Sequence, residues 1–399
     1  MLISDNNLRK LIWAISFAMF CLFVSSLYKI LLKQRNRITI RINGEKREVF
    51  SLADLTIFLI ITFLASIRLN VGSDYYNYYV KFNSINTDCI SIKDLIISFD
   101  GFGLLSYIVK IFTNFEYAIF SVIAIFSYGF LFLLLRNEVK DKSTAFTCYM
   151  FMGFFANSLN IMKQYIAMIF VMCFYKNLLK KKYVNAACFA VVAVVFHYSA
   201  LLAILVIGPV TLLKIVPSRK FVSCSIAIGI MFAIFLPQIV GVIIKLIPSA
   251  SGYGVYVNWR RNSQLRLIIA VAGMSVIYAF LLFWILKYKD RIKAVNETRF
   301  YEISFLAIGL CINIASIRIW VVQRVALYFY QFIILVVPTL FQSLKFKTRK
   351  RVKQIILLAM FMYLIFMGIF LGENEYYSYN TIFSGDQPIY DAEYNKMFR

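Results

Sequence analysis

The stretch RLNVGSDYYNYY, residues 68–79, follows a long apolar run and is at once polar, aromatic and charged. The guanidinium of Arg68 can bind an anion, and the carboxylate of Asp74 can accept a proton or simply pair with Arg68. Tyr75 and Tyr78 can stack on sugar rings, although aromatic side chains at the end of an apolar run are also typical of a membrane interface. These residue types indicate a site for an anionic ligand at a membrane interface.

A second candidate for proton transfer is His197, the only histidine of the chain, in the segment FHYSA. The unperturbed pKa of a histidine suits a general base near neutral pH, whereas a lone histidine near a helix end is also commonly a hydrogen-bonded structural residue. We favour His197 over Asp74 as the base, because a carboxylate close to several arginines is the weaker base.

The segment ANSLNIMKQYIA carries a polar stripe among apolar residues. Asn157, Asn160 and Lys163 are spaced three apart and Gln164 follows, so a helix would place the four side chains on one face. Polar groups that faced lipid would be costly, which predicts either a cavity or amide hydrogen bonds between neighbouring helices. In the first case Asn160 and Gln164 would bind a polar ligand, such as a sugar or an acceptor hydroxyl, and Trp259 could stack on a sugar ring.

Several basic side chains stand at the ends of apolar runs, on the side opposite to most lysines and arginines. Singly, such residues commonly anchor a helix to lipid headgroups. As a group they form a ring of cations at one membrane face, and guanidinium groups suit pyrophosphate particularly well. The predicted pyrophosphate-binding residues are Arg68, Lys163, Arg260, Arg261, Arg318 and Arg324.

Motifs for metals and nucleotide cofactors are missing from the sequence. It has no D-x-D, no H-E-x-x-H, no P-loop and no glycine-rich dinucleotide turn. Glu373 and Glu375, just beyond the last apolar run, come nearest to a metal-binding carboxylate pair, but acidic residues are ordinary in a polar tail. We therefore expect a reaction that needs neither a metal nor a cofactor.

The elements that must position these residues are membrane helices. Of the 399 residues, 61% are hydrophobic, and apolar runs of about twenty residues recur along the whole chain. We predict an all-α polytopic membrane protein, a single membrane domain over residues 1–399, with about twelve transmembrane helices. Gly101 to Phe112 is apolar but too short to cross, which predicts a re-entrant or interfacial helix on the outer side.

The positive-inside rule assigns the two sides of the membrane. Six alternate connections are richly basic, from KQRNRITIRINGEKR after the first run to KFKTRKRVK before the last, and we place them in the cytoplasm. Both termini are then extracytoplasmic, together with the segments 68–114, 248–266 and 373–399. This distribution accounts for the net charge of +24, so nucleic acid is not expected as a partner.

In order along the chain, these residues resemble the motifs of the bacterial Wzy-type polysaccharide polymerases, in particular the EpsG-like group. The resemblance runs from RLNVGSDYYNYY through FDGFGLL, NIMKQYIA and FHYSA to QRVALYFY, over residues 68–330. The group has threonine where this chain has Ser73 and arginine where it has Lys163. The lysine keeps the charge but loses the bidentate geometry of a guanidinium.

The resemblance implies a polymerase of the bacterial cytoplasmic membrane whose substrates are undecaprenyl-pyrophosphate-linked oligosaccharide repeat units. It would pass the growing chain from its lipid pyrophosphate to a sugar of a new unit at the outer face, which yields O-antigen or a related surface polysaccharide. The implied partners are membrane lipids, a chain-length regulator and a flippase of the same pathway. The cations would stabilise the leaving pyrophosphate, and His197 or Asp74 would remove the acceptor proton.

Two other functions fit part of the pattern. A flippase for the same lipid-linked unit could also use an outer ring of cations, but no internal repeat relates the two halves of the sequence and the charges lie on one side only. A ligase that passes polymer to a different acceptor would use similar chemistry. Only the resemblance favours a polymerase over a ligase.

Overall fold

The computed structural model describes residues 5–34, 37–42, 45–87, 92–93, 100–246, 261–371, 379–386 and 388. Within these ranges the chain is almost entirely helical, and the strands form only two short antiparallel pairs. The prediction of an all-α membrane protein is thereby confirmed at the level of the fold class.

The helices follow the apolar runs of the sequence. The first part of the chain holds α1 (Asp5–Lys33), α2 (Leu52–Ile67), α3 (Tyr75–Asn83), α4 (Gly101–Phe112), α5 (Ala118–Glu138), α6 (Lys142–Phe151), α7 (Phe154–Asn160), α8 (Met162–Leu179) and α9 (Tyr183–Phe196). The second part holds α10 (Ala200–Leu212), α11 (Arg219–Leu246), α12 (Arg261–Lys287), α13 (Lys289–Val295), α14 (Glu297–Ala315), α15 (Gln323–Tyr330), α16 (Ile333–Gln342) and α17 (Phe346–Leu371).

Seven described helical segments are long and apolar enough to cross a membrane. They are Leu8–Lys33, Ala118–Glu138, Arg219–Ile239, Ile268–Lys287, Glu297–Ala315, Gln323–Gln342 and Phe346–Phe370. Four shorter apolar helices accompany them, namely Leu52–Ile67, Gly101–Phe112, Tyr183–Phe196 and Ala200–Leu212. By length and composition the chain is a multi-pass membrane protein, and Gly101–Phe112 is a separate short helix as the sequence predicts.

Local signals in the sequence set the helix ends. Ser51 starts α2 with a capping box, in which its hydroxyl accepts the backbone N–H of Asp54 at 3.0 Å and the Asp54 carboxylate accepts the N–H of Ser51. Asp100 caps α4 by accepting the N–H of Gly103 at 3.0 Å. Gly153 lies between α6 and α7 with a φ of +74°. This left-handed conformation interrupts the helix, and glycine adopts it without the strain that a side chain would cause.

The strands are the part of the fold that the sequence analysis did not predict. β1 (Arg37–Ile42) and β2 (Glu45–Ser51) form a hairpin within the basic connection between α1 and α2. The alternation in RITIRI and the following Asn-Gly pair are hairpin signals in the sequence. The second pair joins β3 (Arg68–Leu69), directly after α2, to β4 (Asn380–Thr381) in the C-terminal tail.

Buried and half-buried ion pairs join helix ends at the basic connections that the sequence places in the cytoplasm. The carboxylate of Glu138 pairs with Lys176 at 2.6 Å and with Arg299 at 2.8 Å, and Arg299 also pairs with Glu302 at 2.5 Å. The hydroxyl of Tyr175 donates to Glu302 at 2.9 Å. Because a buried charge is costly without a partner, this network ties α5, α8 and α14 together at one end of the bundle.

Candidate functional site

Arg68 closes α2 and is the most deeply buried of the predicted cations that the structure describes. It is 1% exposed, at the point where α2 gives way to the extended backbone of β3. Its guanidinium donates to the carbonyl oxygen of Ala65 and, at 3.1 Å, to that of Leu159, and it lies 2.8 Å from the sulfur of Met162. These contacts join the end of α2 to the junction of α7 and α8. A contact of Arg68 with pyrophosphate stays a prediction.

A tight turn after β3 brings Asp74 to the site. Asn70 and Gly72 adopt positive φ values of 56° and 98°. A Cβ at Gly72 would lie 2.9 Å from the Cα of Asn160, so this close approach requires glycine. The side-chain oxygen of Asn160 accepts the backbone N–H of Asp74 at 3.0 Å and the hydroxyl of Ser73 at 3.3 Å. Asn160, predicted to bind the sugar or the acceptor, holds this turn in place.

α15 places Arg324 against the same turn. Nη1 of Arg324 lies 3.4 Å from Oδ2 of Asp74, and the two side chains keep 22% and 16% of their surface exposed. The side-chain amide nitrogen of Gln164, a buried residue, donates to the backbone carbonyl oxygen of Arg324. Its amide oxygen is buried without a hydrogen-bond partner in the described part of the chain. Gln164 therefore fixes α15 on α8, beside the Asp74–Arg324 pair.

Lys163 stands at the start of α8, next to Gln164. Its ammonium lies 5.0 Å from the ring centre of Phe102 and 5.7 Å from that of Tyr78, which is a cation–π arrangement. The two rings belong to α4 and α3, so the short helices of the segment 68–114 form the surface on which the lysine rests. Lys163 is partly exposed and interacts electrostatically with Asp74.

Asp100 is the second carboxylate beside Lys163. Besides capping α4, it pairs with Lys81 at 2.5 Å. Burial acts to raise the pKa of Asp100, but the hydrogen bonds from Lys81 and Gly103 and the charges of Lys81 and Lys163 outweigh it and hold the pKa below its usual range. Asp100 is thus a carboxylate at neutral pH and is balanced by two lysines.

His197 lies in the turn between α9 and α10. Its Nδ1 is 2.6 Å from the hydroxyl oxygen of Ser199. Burial and the charges of Arg324 and Lys163 lower the pKa of His197 to about 4, against an opposing effect of Asp74. The imidazole is therefore neutral at physiological pH.

The site is an assembly of four segments that are far apart in the sequence. Asp74 comes from the turn after β3, Lys163 from the start of α8, His197 from the turn after α9 and Arg324 from the start of α15. Arg324 pairs with Asp74, and Arg324, Lys163 and Asp74 all act on the charge of His197. Two cations, a carboxylate and a neutral imidazole can together bind an anion and move a proton.

Two of the predicted sugar-stacking residues lie in the core. Tyr75 is 1% exposed and stacks on Phe120, with the ring centres 4.5 Å apart. Tyr78 is 7% exposed and packs on Phe102, with the ring centres 5.3 Å apart. Their described contacts are with the protein, and stacking on a sugar stays a prediction for both.

Of the remaining predicted residues, only Arg318 has a side chain within the described part of the structure. Arg318 is exposed in the connection between α14 and α15. Trp259 and Arg260 lie outside the described residues, and so do Glu373 and Glu375. Arg261 begins α12, but its side chain is also outside the described part of the structure.

The structure adds residues that the sequence analysis did not select. The hydroxyl of Ser199 lies 3.1 Å from that of Tyr328, four residues after Arg324 on α15. Ser199 is part of the FHYSA segment, and the spacing of Arg324 and Tyr328 puts both on one helical face, so the sequence did contain a signal for them. Tyr379 in the C-terminal tail donates to the carbonyl oxygen of Leu64, and no sequence signal pointed to that contact.

Fold and site together define a class: a multi-pass, all-α membrane protein with a cation, carboxylate and imidazole site formed where short helices and turns meet the helical bundle. The EpsG family model matches residues 52–381, and the chain belongs to the EpsG family. The matched range begins at α2, ends at β4 and includes every residue of the assembled site. Searches of curated proteins and of solved structures return no significant match.

Proposed function

We propose that this protein polymerises oligosaccharide repeat units carried on undecaprenyl pyrophosphate, at the outer face of the bacterial cytoplasmic membrane. The observation that carries the proposal is the convergence of Asp74, Lys163, His197 and Arg324 on one site, within the range that the EpsG family model matches. Membership of that family supports polysaccharide synthesis, and the charges of the site suit a pyrophosphate ligand.

The reaction is a transfer of the growing glycan between two lipid-linked molecules. The bond from the anomeric carbon to the pyrophosphate oxygen breaks, and its electron pair leaves with undecaprenyl pyrophosphate. A hydroxyl of the new repeat unit forms the glycosidic bond and loses its proton. Arg324 and Lys163 stabilise the negative charge that develops on the leaving group, which requires no metal. Asp74 and His197 are the two groups that can take up or direct the proton.

The membrane arrangement is part of the proposal. About twelve spans, counted with the shorter and interrupted helices, place both termini and the segment 68–114 outside the cell. The lipid-linked substrates would then meet the site at the depth of the headgroups, where their pyrophosphates lie. Arg318, Arg260 and Arg261 would add positive charge at the outer membrane face, and Arg68 would hold the turn that carries Asp74. A chain-length regulator and a flippase of the same pathway are the proposed protein partners.

The test is complementation of a deletion strain, read as a ladder of surface polysaccharide on a gel. We expect the deletion to leave a single repeat unit on the acceptor and the wild-type gene to restore the ladder. No surface glycan at all in the deletion strain would indicate a flippase. Full-length polymer that accumulates on the lipid carrier would indicate a ligase.

Two lysine variants connect this assay to the site. Lys163→Ala should abolish the ladder and Lys163→Arg should preserve it, because loss of a charge that stabilises the leaving group typically costs roughly 10²–10³-fold in rate. Lys110→Ala is the matched control, since Lys110 also rests on an aromatic ring, that of Phe82 at 4.5 Å, and its described contacts are with Phe82 and Asn83, outside the site. A normal ladder from Lys163→Ala would contradict the assigned role.

A further inference from the structure

The hydroxyl of Ser199 does not cap the helix that it precedes, α10. Ser199 is the N-cap residue of α10, where a serine ordinarily accepts a hydrogen bond from a backbone N–H of the first turn. Its side chain makes no such bond. The hydroxyl instead lies 2.6 Å from Nδ1 of His197 and 3.1 Å from the hydroxyl of Tyr328. Ser199 therefore links the catalytic imidazole to a phenol that is fully buried.

The protons of this chain can be arranged in three ways. If Tyr328 donates to Ser199 and Ser199 donates to Nδ1, every proton has an acceptor and the imidazole hydrogen is on Nε2. If His197 donates from Nδ1 and Ser199 donates to Tyr328, the buried phenol proton has no acceptor among the described residues. If both neighbours donate to Ser199, the serine proton is left without an acceptor there. Since buried donors are nearly always satisfied, the first arrangement is favoured.

We propose that Tyr328 and Ser199 hold His197 as the neutral tautomer with its hydrogen on Nε2, so that His197 donates a hydrogen bond to the substrate and Asp74 accepts the proton. Tyr328 and Ser199 are positioning residues in this scheme. The identity of the substrate oxygen, on the leaving pyrophosphate, rests on the proposed function; the tautomer does not.

The surroundings of His197 fit a donor better than a base. Nε2 has no hydrogen-bond partner among the described residues, so it is open to a ligand. Burial and the charges of Arg324 and Lys163 keep the imidazole neutral, against an opposing effect of Asp74. A neutral imidazole between two cations can give its N–H to an oxyanion that the same cations bind. The carboxylate of Asp74 then remains as the proton acceptor of the site.

The single histidine makes the tautomer directly measurable. The full-length protein, labelled with ¹⁵N only in histidine and reconstituted in lipid nanodiscs, gives two ring nitrogen signals that belong to His197. We expect one protonated and one unprotonated nitrogen, with the couplings to the ring protons assigning the hydrogen to Nε2, and no change between pH 6 and pH 8. A hydrogen on Nδ1, or an imidazolium in this pH range, would overturn the proposal.

Variants separate positioning from mere packing. Ser199→Ala removes the hydroxyl that donates to Nδ1, so the preference for hydrogen on Nε2 is lost and the population should shift toward hydrogen on Nδ1. Polymerisation should fall with it by roughly tenfold or more, because the ring then offers the wrong atom to the substrate. Tyr198→Phe removes an exposed hydroxyl in the same turn and should change neither the spectrum nor the rate. An unchanged tautomer in folded Ser199→Ala would refute the role of the serine, and the wild-type spectrum decides the tautomer even if that variant does not fold.

Discussion

At the scale of single residues, His197 and Asp74 share the same cations but have different direct partners. His197 is hydrogen-bonded to Ser199. Asp74 pairs with Arg324 at 3.4 Å, and its backbone N–H donates to the side-chain oxygen of Asn160. From the sequence, His197 was favoured as the base because its unperturbed pKa suits proton transfer and a carboxylate close to several arginines is the weaker base. The proposed tautomer alters that argument, because Nδ1 accepts the hydroxyl of Ser199 and Nε2 carries the hydrogen, which leaves no ring nitrogen free to take up a proton.

Matched substitutions distinguish the two roles. His197→Gln keeps an N–H donor but cannot bind a proton, and we expect it to retain much of the polymerase rate. Asp74→Asn keeps the shape and removes the basicity, and we expect a loss of roughly 10²–10⁴-fold. The measurement is the initial rate of chain extension in nanodiscs with purified lipid-linked repeat units. A dead His197→Gln protein beside an active Asp74→Asn protein would return the role of base to His197.

The lowered pKa of His197 also predicts how stability depends on pH. The folded pKa of about 4 lies below the usual histidine value, so the unfolded chain binds more protons between these two values. The contribution of the neutral imidazole to stability is therefore fully present above about pH 6.5 and is lost as the pH falls toward 4. Thermal denaturation of wild-type protein should show a steeper loss over this interval than His197→Gln. Parallel curves would contradict the buried, neutral state of the ring.

At the scale of elements, the turn after β3 is built around its contact with the end of α7. Gly72 and Gly153 both have positive φ values, but only Gly72 is in close contact: an added Cβ would meet Asn160, while nothing lies within 4 Å of one at Gly153. Any L-residue at such φ values is strained by about 1–2 kcal/mol. A side chain at either position would therefore strain the backbone, but only at Gly72 would it also clash with Asn160.

Alanine at each glycine separates these effects. Gly72→Ala should push the turn away from Asn160, displace Asp74 and abolish polymerisation, with a lower melting temperature as well. Gly153→Ala should lower the melting temperature by a few degrees and leave most of the activity, because it carries the strain of about 1–2 kcal/mol without the clash. The readouts are thermal denaturation and the rate of chain extension. Equal losses of activity in the two variants would show that the contact with Asn160 is not what positions Asp74.

Some elements of the fold and of the site can be predicted from the sequence, and others cannot. Apolar runs predict the helices well, because each helix must present a hydrophobic surface to lipid or to its neighbours. The motifs also predict that Asp74, Lys163, His197 and Arg324 belong to one site. The direction of each side chain was not predictable, because it depends on contacts across the bundle: Arg68 turns inward to Leu159, and Tyr75 stacks on Phe120. The pairing of β3 with β4 joins positions too far apart for any local pattern.

At the scale of the whole molecule, that strand pair closes the chain on itself. Arg68 pairs with Thr381, and the backbone N–H of Ile382 donates to the carbonyl oxygen of Ile67 at 2.9 Å. The tail after α17 thus returns to the end of α2 and covers the residue that clamps the turn of the site. Two segments joined by backbone hydrogen bonds must lie on the same side of a membrane, whichever side that is.

Cysteine accessibility tests this arrangement and its orientation together. Single cysteines are placed at Asn77 in α3, at Phe383 in the tail and at Lys182 between α8 and α9, all exposed positions, in a protein without native cysteines. We expect a membrane-impermeant maleimide to label the first two in intact spheroplasts and Lys182→Cys only after permeabilisation, because basic connections stay in the cytoplasm. Labelling of Asn77→Cys and Phe383→Cys from opposite sides would contradict the pairing of β3 with β4. Labelling of both only after permeabilisation would keep the fold and reverse the orientation, which would place the site on the cytoplasmic face and remove the proposed outer-face reaction.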